Sequence, residues 1–397
     1  MPAYARVLLP VLAGTRRHRA FTVALVAAAA LRVITMLGYP PARMYWYDSF
    51  AYLHNAVHLQ PDQGFHPIGY PLLLRALLPF HSVGVVVAVQ HAMGLATGAV
   101  VYAALRGRGL PGWAAVAASA PVLFDASFLR LEHAVVSDTL FILLVVAATA
   151  LLVRRPVPSA RAAATAGLLL GGAALTRTIA LPLILLVLLV LAVRRVPWRR
   201  PAVLALAGPL PVVAYAAWYG GVHGRIGVSG SDGVALWARS MTFADCAVIQ
   251  PPQDLAPLCP NGTVLDAATD QPLAEQVRRA YDPDLTGMRS VRPYADLLIA
   301  YQYPAYLRGP LLAAILLLGL IGALRRPGRA AALPWAVAVT LLVAPVAVLD
   351  FDHRYVLPVV PVACLAAGLT FARPPRRAAV RKVREVSREV PSAERIG

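Results

Sequence analysis

The sequence predicts an all-α polytopic membrane protein, and three observations carry that expectation. Apolar residues make up 59% of the 397-residue chain and charged residues 14%, with positive mean hydropathy, far from the balance of a soluble domain this long. The apolar residues gather into runs near the ~20 that a helix needs to cross ~30 Å of hydrocarbon. The arginines fall between alternate runs, as cytoplasmic loops rich in Lys and Arg require. About ten transmembrane helices result, with both termini cytoplasmic in a plasma (inner) membrane.

The first span covers about 20–37, after Arg16, Arg17 and Arg19. This start imitates a signal peptide, but nine further spans favour a retained helix. A polar external loop over 38–82, expected to hold amphipathic helices, leads to the second span at 83–105. Arg106 and Arg108 then precede spans at 113–129 and 134–153, and Arg154, Arg155 and Arg161 follow them. The run 162–193 is too long for one span and is interrupted between Thr176 and Pro182. Since both flanks are arginine-rich, it crosses an even number of times, as 162–177 and 179–193, with Arg177 at the outer tip. The remaining spans are 201–219, 307–324, 330–349 and 355–371.

This pattern divides the chain into a transmembrane module with the first external loop (1–219), an external insertion (220–306) between spans seven and eight, C-terminal spans (307–371) and a basic cytoplasmic tail (372–397). The insertion is too long for an idle connection, and a short amphipathic helix is expected over 233–245. Cys246 and Cys259 lie in it, thirteen residues apart, in an oxidising compartment where a disulfide persists. Cys364 reads as a packing residue of the last span. The net charge of +18 does not call for nucleic acid, because membrane orientation accounts for the split basic residues. The tail suits either a helix on anionic lipid or a solvated segment.

Acidic residues add a second signal. Of 19, only Glu385, Glu389 and Glu394 fall inside; the rest are external or near the outer ends of spans. Acids contribute little to orientation, so chemistry on the outer face is a candidate cause. Ionisable groups at membrane level are expensive and functional by default. The first loop offers Asp48, His54, His66 and Arg75. The turn after the third span offers Asp125, Arg130, Glu132, His133 and Asp138. The hairpin tip adds Arg177, and the last external turn adds the stretch from Asp350 to Tyr355. Sugar transfer from a lipid phosphate needs a base for the acceptor hydroxyl and cations for the departing phosphate. One carboxylate and two or three arginines suffice. No spacing identifies the paired carboxylates of a glycosidase, and no Cys/His cluster has zinc spacing.

The acidic first loop followed by His66-Pro-Ile-Gly-Tyr-Pro-Leu-Leu73 resembles the GT-C membrane glycosyltransferases that use polyprenyl-phosphate sugars. That superfamily includes protein O-mannosyltransferases, the lipid A aminoarabinose transferase and cell-wall arabinosyltransferases. Leu131 to Phe141, Gly167 to Arg177 and Arg354 to Pro358 extend the resemblance over most of the chain. The stretches Trp237 to Cys246 and Leu258 to Pro260 are similar to small actinobacterial phospholipid-carrier-dependent glycosyltransferases.

The resemblance implies an inverting hexosyl- or pentosyltransferase, with mannose and arabinofuranose as the donor sugars it suggests and a role in cell-wall biogenesis. Its donor is a polyprenyl-phosphate sugar, and its acceptor an extracytoplasmic glycan, lipid or protein. Asp48 is then the catalytic base, Arg177, Arg354, Tyr355 and His353 bind the donor phosphate, and Tyr52, His66, Tyr70, Glu132, His133 and Asp138 line the substrate site. No cofactor is required; a divalent metal is possible but not indicated. The residues also admit blander roles: a loop cap for Asp48, helix-start charges for Glu132 and Asp138, and snorkelling arginines. Many members carry Asp-Glu where this chain has Asp48-Ser49, so a partner for Asp48 is open. Gln90 and His91 read as buried packing polars, and Arg32 as reaching for the outer interface. A transporter or flippase would place ionisable or broken-helix features near the midplane; a non-catalytic envelope assembly factor would not depend on Asp48.

Overall fold

The computed structural model describes residues 18–61, 66–230, 237, 245–256, 259, 288–325, 330–348 and 352–372. Most of the helix expected over 233–245, the tail from 373, and Asp350 lie outside the described residues. Among those residues the chain is helical, with one isolated β-bridge between Arg43 and Ala134.

Helix α1 (Arg19–Gly38) leads into the polar loop, which carries α2 (Trp46–Val57) and α3 (Gly69–Leu77), packed on each other. The bridge fastens this loop: Arg43 N–H donates to His133 O at 2.9 Å, and Val135 N–H to Arg43 O at 3.1 Å. After α4 (Val83–Gly107) and α5 (Gly112–Phe124), the helix expected to run over 113–129 is broken. Asp125 is extended there, and its carboxylate accepts from Ser127 N–H at 2.7 Å and Leu307 N–H at 2.5 Å. Such a cap satisfies an otherwise orphaned backbone donor. The chain restarts as α6 (Ala126–Glu132) at a 52° bend. Asp125 is therefore a cap and a tie to the segment before residue 309.

The middle of the bundle is α7 (Asp138–Val153), α8 (Ala160–Thr176) and α9 (Leu181–Val193); then α10 (Arg199–Ala207) and α11 (Pro209–His223) pack on α8. Gly171 permits that approach, since a Cβ there would lie 2.2 Å from Gly208 O. Small residues let helices come this close without a gap. The short α12 (Cys246–Ile249) begins at a cysteine bonded to Cys259, with Cα atoms 6.1 Å apart. Finally come α13 (Tyr294–Gln302), α14 (Gly309–Leu324), α15 (Ala332–Val348) and α16 (Val359–Thr370). Helix α16 is the most enclosed, packed on α14, α15, α5 and α4, and includes the buried Cys364.

Each expected span coincides with an apolar helix or helix pair, yet the count of ten is not met by length. Four helices are long and apolar enough to cross a membrane, Arg19–Gly38, Val83–Gly107, Arg199–His223 and His353–Thr370, and the bent α5–α6 pair makes a fifth. The other five apolar helices have 10–17 residues, because breaks such as the extended Arg177 and Arg325 end them early. Val23, Val26, Leu185, Leu206 and Leu317 are each at least 60% exposed on the outside of the bundle. Large apolar patches of this kind suit lipid. The fold is that of a multi-pass membrane protein.

Candidate active site

Asp48 sits in the first turn of α2, where the helix dipole favours a carboxylate. Ser49, beside it, is fully buried and accepts from Tyr45 N–H at 2.7 Å while donating to Val135 O at 2.8 Å. Ser49 is thus a structural tie rather than a partner of Asp48. The partners of Asp48 come from elsewhere. Arg354 Nη1 donates to its Oδ2 at 2.9 Å across 306 residues, and His66 Nε2 is 3.2 Å from its Oδ1.

From these two contacts a closed ring of side chains develops. His66 Nδ1 lies 3.1 Å from the Tyr52 hydroxyl, which is 2.9 Å from Ser137 Oγ. Next to Ser137, Asp138 opens α7 and is paired with Arg177. Arg177 reaches it because the chain is extended between α8 and the 3₁₀ turn Thr178–Ala180. The Arg177 guanidinium lies 5.0 Å from the Tyr355 ring centroid, and that of Arg354 lies 5.3 Å from the same ring and 4.3 Å from the Tyr45 ring. Such stacking suits guanidinium groups held partly out of water. Asp352 closes the far side. It accepts from the Tyr45 hydroxyl at 2.5 Å and from the Arg354 backbone N–H at 3.0 Å, and forms ion pairs with Arg354 Nε at 3.3 Å and His353 Nδ1 at 2.9 Å.

Burial by itself would raise the Asp48 pKa, but the hydrogen bond and charge of His66 and the Arg354 guanidinium outweigh it and hold the carboxyl at about 2. Asp352 is also lowered: burial pushes up, and the Tyr45 hydrogen bond and Arg354 pull further down. Both carboxylates are ionised at neutral pH. The second oxygen of Asp138, buried, has no hydrogen-bond partner among the described residues. Beside the ring, Phe141, Ile179, Leu341, Pro345 and Pro358 line an apolar cleft together with Arg177 and Tyr355.

The structure therefore gathers Asp48, Tyr52, His66, Asp138, Arg177, His353, Arg354 and Tyr355 from five separate stretches of sequence. Tyr70, Glu132 and His133 belong to an interior network behind the ring, with the Tyr70 ring edge-on to Tyr52 at 4.9 Å and His133 reaching the wall of a second cleft. Tyr70 is fully buried and donates to Gln90 Oε1 at 2.7 Å; Gln90 donates in turn to Glu132 O and Ala134 O. Glu132 closes α6 rather than starting a helix, so the helix-start reading fails for it. Its carboxylate takes Arg32 through two bonds of 2.7 and 2.8 Å and His91 Nδ1 at 2.9 Å. His91 Nε2 is 3.3 Å from His133 Nδ1, and His133 Nε2 donates to Tyr39 O at 2.6 Å. Arg32 does not reach the interface: it is 2% exposed, because the buried Glu132 carboxylate is its counter-charge. Asp352, in the stretch expected from Asp350 to Tyr355, joins the site by holding Arg354, and Tyr45 and Ser137 join it with no role expected of them individually, since no spacing marks a residue that acts by holding another. Among the described residues no three His, Cys, Asp or Glu side chains gather as a metal site would.

The helical bundle that carries this site has structural counterparts. No protein-family model matches the chain, and no curated protein matches it in sequence. The fold is that of ArnT from Cupriavidus metallidurans: in the apo state it is 17% identical with a TM-score of 0.52, and 93% of this chain covers 63% of that one. The structure of the same protein bound to undecaprenyl phosphate gives 15% identity and 0.53 over the same shares. The apo oligosaccharyltransferase of Archaeoglobus fulgidus gives 16% and 0.50, with 95% of this chain covering 52% of that chain. The chain thus has the GT-C fold and spans between half and two thirds of these proteins.

Proposed function

We propose that this protein is an inverting glycosyltransferase that moves one sugar from a polyprenyl-phosphate donor to an extracytoplasmic acceptor. The observation that carries the reading is Asp48 held between His66 and Arg354, with Arg177 in the same ring beside an apolar cleft. The two guanidinium groups suit a lipid phosphate, and the apolar side chains beside them suit the first carbons of its isoprenoid chain. That the ArnT structure of the same fold is bound to undecaprenyl phosphate supports the donor class.

In the proposed step Asp48 takes the acceptor hydroxyl proton as that oxygen bonds to the anomeric carbon. The bond from that carbon to phosphate oxygen breaks, and the polyprenyl phosphate leaves with the electron pair. Arg354 and Arg177 neutralise the charge that develops on it. Without donor, Arg354 suppresses the proton affinity of Asp48. A donor phosphate engaging Arg354 offsets that cation, so the base strengthens when there is something to transfer. The arginines supply the positive charge, so the reaction needs no added cofactor.

The full chain in nanodiscs, given membrane-extracted polyprenyl-phosphate sugars, is the test. Label transfer to an acceptor, lost in Arg354→Ala together with undecaprenyl phosphate binding, is expected. Lipid movement across proteoliposomes without transfer would replace the reading with a transporter.

A further inference from the structure

A second cleft, of about 410 Å³, opens between α1, α6 and α13, away from the apolar cleft. Arg43 and Arg130 line it, and among the described residues neither guanidinium makes a hydrogen bond or ion pair; the charge that Arg43 meets first is that of Arg130. Among the described residues, no carboxylate lines it. Two acids beside it among the described residues are committed: Asp125 caps α6 and holds Leu307 N–H, and Asp352 holds Tyr45 and Arg354. Burial and then the neighbouring Arg130 charge lower the Arg43 pKa, and Tyr45 and Asp352 offset this only in part. Two cations that line one cleft with no carboxylate among its described lining residues, and with Asp352 offsetting them only in part, are a costly arrangement that an anion would relieve. Tyr39, Gln302 and Tyr306 add aromatic surface and hydrogen-bonding groups to the same wall, a combination that suits a sugar ring.

The cleft also adjoins the residues around Asp48. Arg43, Ser127 and Arg130 are shared with a smaller hollow whose lining includes Tyr45, His353 and Arg354. Arg354 in turn holds Asp48. The donor cleft, with Phe141, Ile179 and Leu341, shares none of these lining residues. Donor and acceptor can therefore enter from different directions and meet at Asp48.

We infer that this cleft is the acceptor site and that it selects an anionic carbohydrate, whose phosphate or carboxylate is held between Arg43 and Arg130. The inference rests on the glycosyltransferase reading. Its test is chosen to fail separately from it. Wild type, Arg43→Gln, Arg130→Gln and the double variant, each as full chain in nanodiscs, are titrated by ligand-observed NMR with glucose 1-phosphate, glucuronate and neutral methyl glucoside. The two anionic probes separate a phosphate from a carboxylate source. Undecaprenyl phosphate binding, measured in parallel, reports the donor site and confirms folding.

Wild type is expected to prefer at least one anionic probe over methyl glucoside by about tenfold. The double variant loses that preference, Arg43→Lys combined with Arg130→Lys retains part of it, and undecaprenyl phosphate binding stays unchanged. A double Gln variant that keeps the preference, or a wild type with none, overturns the inference while leaving the donor reading intact. Anion preference in a wild type that binds no undecaprenyl phosphate overturns both the donor reading and the acceptor assignment.

Discussion

Replacing Arg354 with alanine perturbs the site at its most connected residue. Its guanidinium lies 2.9 Å from Asp48 and 3.3 Å from Asp352, stacks between Tyr45 and Tyr355, and is 13% exposed. Truncating one partner of a buried, hydrogen-bonded charge pair costs about 2–5 kcal/mol. The Asp48 side chain is 21% exposed, so the lower part of that range, about 2–4 kcal/mol, is the appropriate figure after solvent screening. In kcat/KM this is a loss of about 30- to 1,000-fold. A second readout has a definite sign. Arg354 is one of the groups that hold Asp48 at about 2, so its removal raises the Asp48 pKa. A base must be deprotonated to act, and activity falls as pH drops through that pKa. The acid limb of kcat/KM therefore moves to higher pH in Arg354→Ala. Labelled sugar transfer in nanodiscs across the acid range measures both. A variant within threefold of wild type, with an unmoved acid limb, would refute the reasoning.

The interior network predicts stability rather than turnover. Arg32→Met leaves Glu132 buried beside His91 without its cation, and about 3–5 kcal/mol of stability should be lost; Arg32→Met with Glu132→Leu should recover most of it in a thermal unfolding scan. Gly94→Ala would place a Cβ 1.8 Å from Glu132 Oε1, and the resulting overpacking should cost about 1–3 kcal/mol by the same scan. Because arginines neutralise the leaving phosphate, transfer should survive prolonged treatment with a chelator; loss of activity restored by a divalent ion would reassign that role.

Some features were legible because one physical rule forced them. The charge rule required a hairpin over 162–193, and the chain does break at Arg177, turning it toward Asp138. The high cost of charge near a membrane pointed to Asp48 and Arg354, which meet. That same cost misled at Arg32 and Glu132, since a buried charge can be satisfied by another whose position 100 residues away only the fold reveals. Tyr70 sits in the stretch His66 to Leu73 that carries the resemblance, yet turns inward to Gln90. A helical repeat shows which face is apolar, not which polar group points at a substrate. The break at Asp125 was hidden for a related reason: a cap inside an apolar run reads as one more intramembrane acid until Ser127 and Leu307 are seen to donate to it.

Asp48→Asn is the most direct test of the central claim, since it keeps the size and a hydrogen-bonding oxygen while removing the charge. With undecaprenyl phosphate binding retained, single-turnover transfer should fall by about 10²- to 10⁴-fold, the contribution of a positioned general base. Near-normal turnover in that folded, donor-binding variant would contradict the account and take the base role from Asp48.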